Sequence, residues 1–170
     1  MGRAAVQPRW LSDEEQQVWR GFIAVNQLLF EALDRQLQSD ANMPHGYYIL
    51  LAMLSEAPNR SLRMSELAEI TKSSQSRVSH AVARLEEAGW VRREKVANDK
   101  RGNLAVLTDR GYEVVVRTAP GHVAAVRDNL FDLLSPEQVG QLAEICTAVL
   151  DKLDPEGRLR LTRAARGAKA

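Results

Sequence analysis

The chain has 170 residues, of which 45% are hydrophobic, 26% charged and 5% aromatic, and its formal net charge is +1. That balance fits one ordinary globular domain with enough apolar side chains for a core, and it excludes the fibrous and disordered classes. A single cysteine, Cys146, excludes an intramolecular disulfide and any multi-cysteine metal site, and no apolar run approaches the ~20 residues of a membrane helix. Met1-Gly2-Arg3 opens no recognisable secretion signal, so a cytoplasmic protein is expected.

Residues 1–10 lack periodicity and read as a mobile arm. Ser12-Asp13-Glu14-Glu15 is a capping box, with Leu11 as its staple residue, and it opens a long helix to about Leu37. Val18, Phe22, Val25, Leu29 and Leu33 share one face of that helix, a stripe long enough to need a long partner. Dimerisation supplies one, so residues 11–43 are assigned to a dimerisation helix with a polar break from Ser39 to Met43. Pro44 suits the first turn of a second, nearly all-apolar helix to about Glu56, which should be buried at the centre. Leu62-Arg63 can add a small strand.

Met64 to Ile70 reads as a short helix with Ser65 as N-cap, and Thr71-Lys72-Ser73 turns the chain. A further helix starts at Ser73, with Val78, Val82 and Leu85 on one face and Ala81 beside them. Gly89 suits its C′ position and Trp90 the apolar residue after it. Trp90–Val96 and Leu104–Leu107 are two strands, joined by turn residues with Lys100-Arg101 at the tip. Thr108 caps a helix reaching about Leu134, kinked at Pro120-Gly121. Ser135-Pro136-Glu137-Gln138 is a second capping box. The helix it opens carries Val139, Leu142, Cys146, Val149 and Leu153 in a coiled-coil-like seam assigned to the dimer interface. Residues 154–170 read as a disordered basic tail with Arg158, Arg160, Arg163, Arg166 and Lys169.

The fold class is therefore mainly α with a small β-wing: a winged helix-turn-helix lobe over residues 44–110, with residues 11–43 and 111–153 forming a dimerisation domain. Charge singles out the lobe. Between Arg60 and Arg101 stand ten Lys/Arg against six Asp/Glu, while the rest of the chain holds 13 against 16. A basic module within a mildly acidic body is the footprint of a DNA-binding face. Its candidate reading residues are Ser73, Gln75, Ser76, Arg77, Ser79, His80 and Arg84 on the second helix, which can donate to phosphates and reach base edges. Arg92, Lys95, Asp99, Lys100 and Arg101 belong to the wing. The alternative is a winged helix that only docks protein, which would not need Arg77, His80, Arg84 and Arg101 on one exposed face. An enzyme would need a catalytic constellation. His45, His80 and His122 lie far apart in sequence with no HExxH spacing, no phosphate-binding glycine loop is present, and no cofactor or metal is expected.

A set of short matches runs through the same region: Leu67-Ala68, Ser74-x-Ser76-x-Val78-Ser79, Arg84-Leu85-Glu86, Gly89-Trp90-Val91, Asp99-x-Arg101 and Leu107-Thr108-x-x-Gly111. In these, and from about Leu11 to Leu153, the chain resembles the MarR family of bacterial transcriptional regulators. The resemblance implies a homodimer on double-stranded DNA with an inverted-repeat operator. The second helix of the helix-turn-helix enters the major groove, and Arg101, braced by Asp99, enters the minor groove. It also implies a small-molecule effector, often an anionic aromatic, in the cleft between the dimer helices and the DNA lobe. Trp19, His45, Tyr47 and Tyr48 could line that cleft. Peroxide-sensing relatives carry their cysteine in the first helix, which has none here, whereas Cys146 sits on an apolar stripe as a small hydrophobe.

Overall fold

The computed structural model describes residues 8–95 and 103–157, with six α-helices and a three-stranded antiparallel sheet among them. Helix α1 (Asp13–Ala41) begins at the expected capping box, where Ser12 Oγ accepts the Glu15 N–H and the Glu15 carboxylate accepts the Ser12 N–H. It runs past Leu37 through most of the expected break. Only Asn42, in the left-handed region at φ 47°, turns the chain, because an asparagine tolerates that conformation and its N–H caps the Gln38 carbonyl. Helix α2 (His45–Glu56) follows. Its first N–H, on His45, is taken by Asp34 Oδ1 of α1 at 2.8 Å.

Strand β1 (Ser61–Arg63) leads into α3 (Met64–Ile70), α4 (Gln75–Glu87), β2 (Val91–Lys95) and β3 (Asn103–Leu107). The sheet order is β1-β3-β2, with Ser61 opposite Val106 and Val91 opposite Leu107. One expected cap and one expected helix start move by two residues. Helix α3 starts at Met64, so Arg63 and not Ser65 holds the cap position, its N–H accepted by the Glu66 carboxylate. Helix α4 starts at Gln75 and not at Ser73, capped by Ser74, which accepts the Arg77 N–H, while Ser73 stays in the turn. Helix α5 (Asp109–Asn129) passes through Pro120 as one helix and ends before a single 3-10 turn at Phe131–Leu133, short of the expected Leu134. Helix α6 (Pro136–Leu153) opens with the second expected capping box.

The core lies where α2, α3, α4 and the sheet meet the first half of α5. Leu37, Leu51, Leu54, Leu67, Val82, Leu85 and Val91 are fully buried there, with Ala105, Leu107, Val114 and Val115 around them. Outside it, burial stops. Only Leu33 and Leu37 of α1 and no residue of α6 are buried. Val18, Phe22, Val25 and Leu28 on α1, Val116 and Val123 on α5, and Ile145, Val149 and Leu153 on α6 are exposed, Phe22 by 58% and Leu153 by 72%. Among the described residues no helix is long and apolar enough to cross a membrane.

The end of α4, the base of the wing and the start of α5 converge on one junction. Helix α4 closes in a Schellman turn, with Gly89 at φ 74° donating to the Glu86 carbonyl and Trp90 donating to the Leu85 carbonyl. The Thr108 hydroxyl lies 2.8 Å from the Gly89 carbonyl and 3.1 Å from that of Trp90, and it accepts the Gly111 N–H as the N-cap of α5. Gly111 packs so closely on this turn that a Cβ there would stand 2.1 Å from the Trp90 carbonyl oxygen and 2.7 Å from Leu107 Cδ1. The first atom is backbone and cannot swing aside, so Gly111→Ala should destabilise the chain by about 3 kcal/mol. A urea titration checks this, and an unchanged midpoint would refute the close packing.

Candidate nucleic-acid interface

Helices α3 and α4 are joined by a turn fixed from within. Thr71 Oγ1 donates to the Leu67 carbonyl at 2.7 Å, the Ser73 N–H to that of Ala68 at 3.0 Å, and Lys72 takes the left-handed region at φ 48°. The amphipathic pattern of α4 then decides what faces outward. Val78, Val82 and Leu85 are buried, while Gln75, Ser76, Arg77, His80 and Arg84 are exposed and Ser79 is half-buried. Five of the expected reading residues are therefore open to solvent, with Ser73 in the turn beside the start of α4. Among the described residues no ion pair holds Arg77 or Lys72.

Two other expected contacts are occupied. Arg84 pairs with Glu87 at 2.9 Å and Arg92 with Glu94 at 2.7 Å. Pairs this exposed contribute ~0–1 kcal/mol, so either arginine can exchange its carboxylate for a phosphate at small cost. Lys95 ends β2, exposed. Asp99, Lys100 and Arg101 lie outside the described residues, as do most of the N-terminal arm and of the basic tail.

A cleft of about 240 Å³ opens on this same side, between the starts of α3 and α4 and the base of the wing. Arg63, Ser65, Gln75, Ser79, Arg93 and Asn103 line it, a set of donors suited to a phosphate backbone. Arg63, Ser65, Arg93 and Asn103 were not among the expected site residues. Strand alternation carries the signal for Arg93: two residues beyond buried Val91, it shares the sheet face turned toward the lobe.

The four residues expected at an effector cleft are not brought together. Trp19 is exposed and stacks on Phe22 at 6.4 Å, ~16 Å along α1 from Phe30. Tyr47 faces a different cleft of about 390 Å³ between α2 and α4, shared with Arg77, Val78 and Ala81. His45 and Tyr48 do meet, through a residue that sequence spacing could not add. His122 of α5 packs 5.6 Å from His45 and 4.6 Å from Tyr48, and Phe30 lies 5.6 Å from His45. Beside this cluster an open cleft of about 550 Å³ is lined by Phe30, Glu31, Asp34, Arg35 and His45, so a ligand there meets two carboxylates and one guanidinium.

Burial lowers the pKa of His45 against the raising effect of Asp34, and burial aided by the charge of His45 lowers that of His122. His122 Nδ1 is buried, with no hydrogen-bond partner among the described residues. In the unfolded chain both imidazoles return to the ordinary value of 6.5, so below it the unfolded state binds protons that the folded state resists. Their contribution is fully present above pH 6.5 and is lost as pH falls through the lowered folded values. The urea midpoint of the parent chain should therefore drop between about pH 7.5 and 5.5, and that of His122→Gln should drop less. Parallel pH profiles would show that the pair is not held neutral.

Comparison with known proteins agrees with this geometry. The model of the MarR family matches residues 41–102. The solved structure of Sco3205, a MarR family transcriptional regulator from Streptomyces coelicolor in complex with DNA, is 60% identical, superposes with a TM-score of 0.83, and covers 88% of this chain and 93% of its own. AbsC, a MarR family regulator from the same organism, is 42% identical with a TM-score of 0.80 over 86% of this chain and 98% of its own. The transcriptional repressor MprA of Escherichia coli is 29% identical over 107 residues, 63% of this chain. The match spans 60% of the length of MprA.

Proposed function

The chain belongs to the MarR family of transcriptional regulators, and on that premise we propose that it is a DNA-binding repressor that reads an inverted-repeat operator as a homodimer. The observation that carries the reading is a division of surface. One side of the lobe presents Gln75, Ser76, Arg77 and His80 on a helix braced from behind by Val78, Val82 and Leu85. The far side leaves the apolar faces of α1, α5 and α6 uncovered. The first surface suits a major groove, and the second suits another copy of the chain. Two-fold symmetry then requires two half-sites in inverted orientation, their centres about one helical turn, ~10 bp, apart.

Within this reading Gln75, Ser76, Arg77 and His80 discriminate bases, whereas Lys72, Lys95 and Asn103 hold phosphates. Arg101 of the wing, braced by Asp99, takes the minor groove. An effector would act where α1, α2 and α5 meet at His45 and His122, because a ligand wedged there changes the spacing of the two recognition helices.

Selection of bound duplexes from a random-sequence library should yield an inverted repeat, and failure to enrich any sequence would defeat the reading. Arg101→Ala should then weaken binding to the selected duplex by about 1–3 kcal/mol at fixed salt without affecting folding. The dimer has its own test. Phe22 is exposed in the single chain, so Phe22→Glu should leave the protomer folded yet weaken association by about 2 kcal/mol or more, through a carboxylate buried at the interface. Sedimentation should show monomer, and affinity for the selected duplex should fall with it. A dimer of parental strength would remove α1 from the interface.

A further inference from the structure

We propose that Glu86 and Arg93 are a pair of positioning residues that fix the wing at one angle to α4, so that base reading in one groove is registered with the wing's contact in the next. The proposal rests on the DNA-binding reading and adds to it the device that couples its two contact elements.

The ion pairs of the basic face differ in what they join. Arg84 to Glu87 stays within α4, and Arg92 to Glu94 stays within β2, so neither fixes one element against another. Arg93 crosses. Its guanidinium Nη2 donates to the Ser79 carbonyl of α4 at 2.8 Å, and its Nε lies 3.5 Å from the Glu86 carboxylate. That same carboxylate accepts the backbone N–H of Arg93 at 2.9 Å. Ser79 and Glu86 are seven residues apart, ~10 Å along the helix axis. One contact would leave a pivot, whereas two contacts separated by two helical turns resist rocking of the strand along the helix.

Chemistry restricts which residues can do this. A carboxylate is needed at position 86 to accept a backbone N–H and a guanidinium N–H together, and a planar, multi-donor group is needed at position 93 to reach a carbonyl and a carboxylate at once. Lysine is a single ammonium and cannot span both points. Glu86 also places negative charge on a face otherwise rich in cations, which a phosphate backbone disfavours. Its position is therefore explained by what it holds and not by attraction to DNA.

The pair separates positioning from charge. Glu86→Gln removes a negative charge near the DNA, so electrostatics alone predicts tighter binding to every duplex. Loss of positioning predicts the opposite for the cognate one. The test uses the full chain, a duplex selected by the unmodified protein from a random-sequence library, and a random duplex of equal length. Glu86→Gln and Arg93→Lys should each lower the ratio of affinities, selected over random, by about tenfold, and the double variant should lower it little further, because the two act as one unit. Urea midpoints confirm that each variant is folded, and Arg93→Lys keeps the cation should Arg93→Gln fail to fold. Glu86→Gln binding both duplexes more tightly at an unchanged ratio would overturn the proposal. So would Arg93→Gln weakening both alike with a salt slope smaller by about 1, which marks a plain phosphate contact. If the unmodified protein enriches no sequence, the DNA-binding reading fails and takes this proposal with it, whereas enrichment with an unchanged ratio in the variants removes positioning alone.

Discussion

The close approach of Gly111 to the Trp90 carbonyl is the constraint on which the lobe depends. It lets three elements share a few backbone atoms: the last turn of α4, the base of the wing, and the first turn of α5. The Thr108 hydroxyl ties the same atoms together, serving α5 as its N-cap while resting against the two carbonyls that end α4. Without this junction the recognition helix would still form, since its apolar stripe and Ser74 cap are local. It would have no fixed relation to the long helix that carries the lobe toward α1.

The fold thus divides its apolar residues between two tasks. Those of α2, α3, α4 and the sheet close a small core within one chain, at distances that short connections can span. Most of those of α1 and those of α6 are not buried there, because a core as small as this one cannot reach helices of 29 and 18 residues along their length. Arg60 marks the seam between the two regions. Its guanidinium stacks over the Tyr112 ring at 3.9 Å and pairs with Asp109 at 3.0 Å, fastening the start of α5 to the strand edge below it.

Periodicity and caps made most of this legible. The stripe Val78, Val82, Leu85 located both the buried and the exposed face of α4, and the two capping boxes marked where α1 and α6 begin. Caps chosen by residue type alone were less secure. Ser65 is a good capping residue that lost to Arg63, because the path of β1 fixes where helical backbone begins. The contact of His45 with His122 was not legible, since it joins helices 77 positions apart in sequence through the packing of α5 on α2. The same holds for Arg93, whose partners at Ser79 and Glu86 depend on the angle of a strand to a helix.

The length of α1 carries a consequence for how its stability depends on concentration. A helix of 29 residues spans ~43 Å, and only its last third is held by packing within the chain. Helices of that kind are marginal in water on their own strength, so the first two thirds of α1, with Trp19, Phe22 and Leu28 exposed, depend for their stability on a surface outside the chain. In the homodimer proposed above, the second copy supplies that surface and hides those side chains. Stability of α1 would then be coupled to association and would rise with the concentration of the chain.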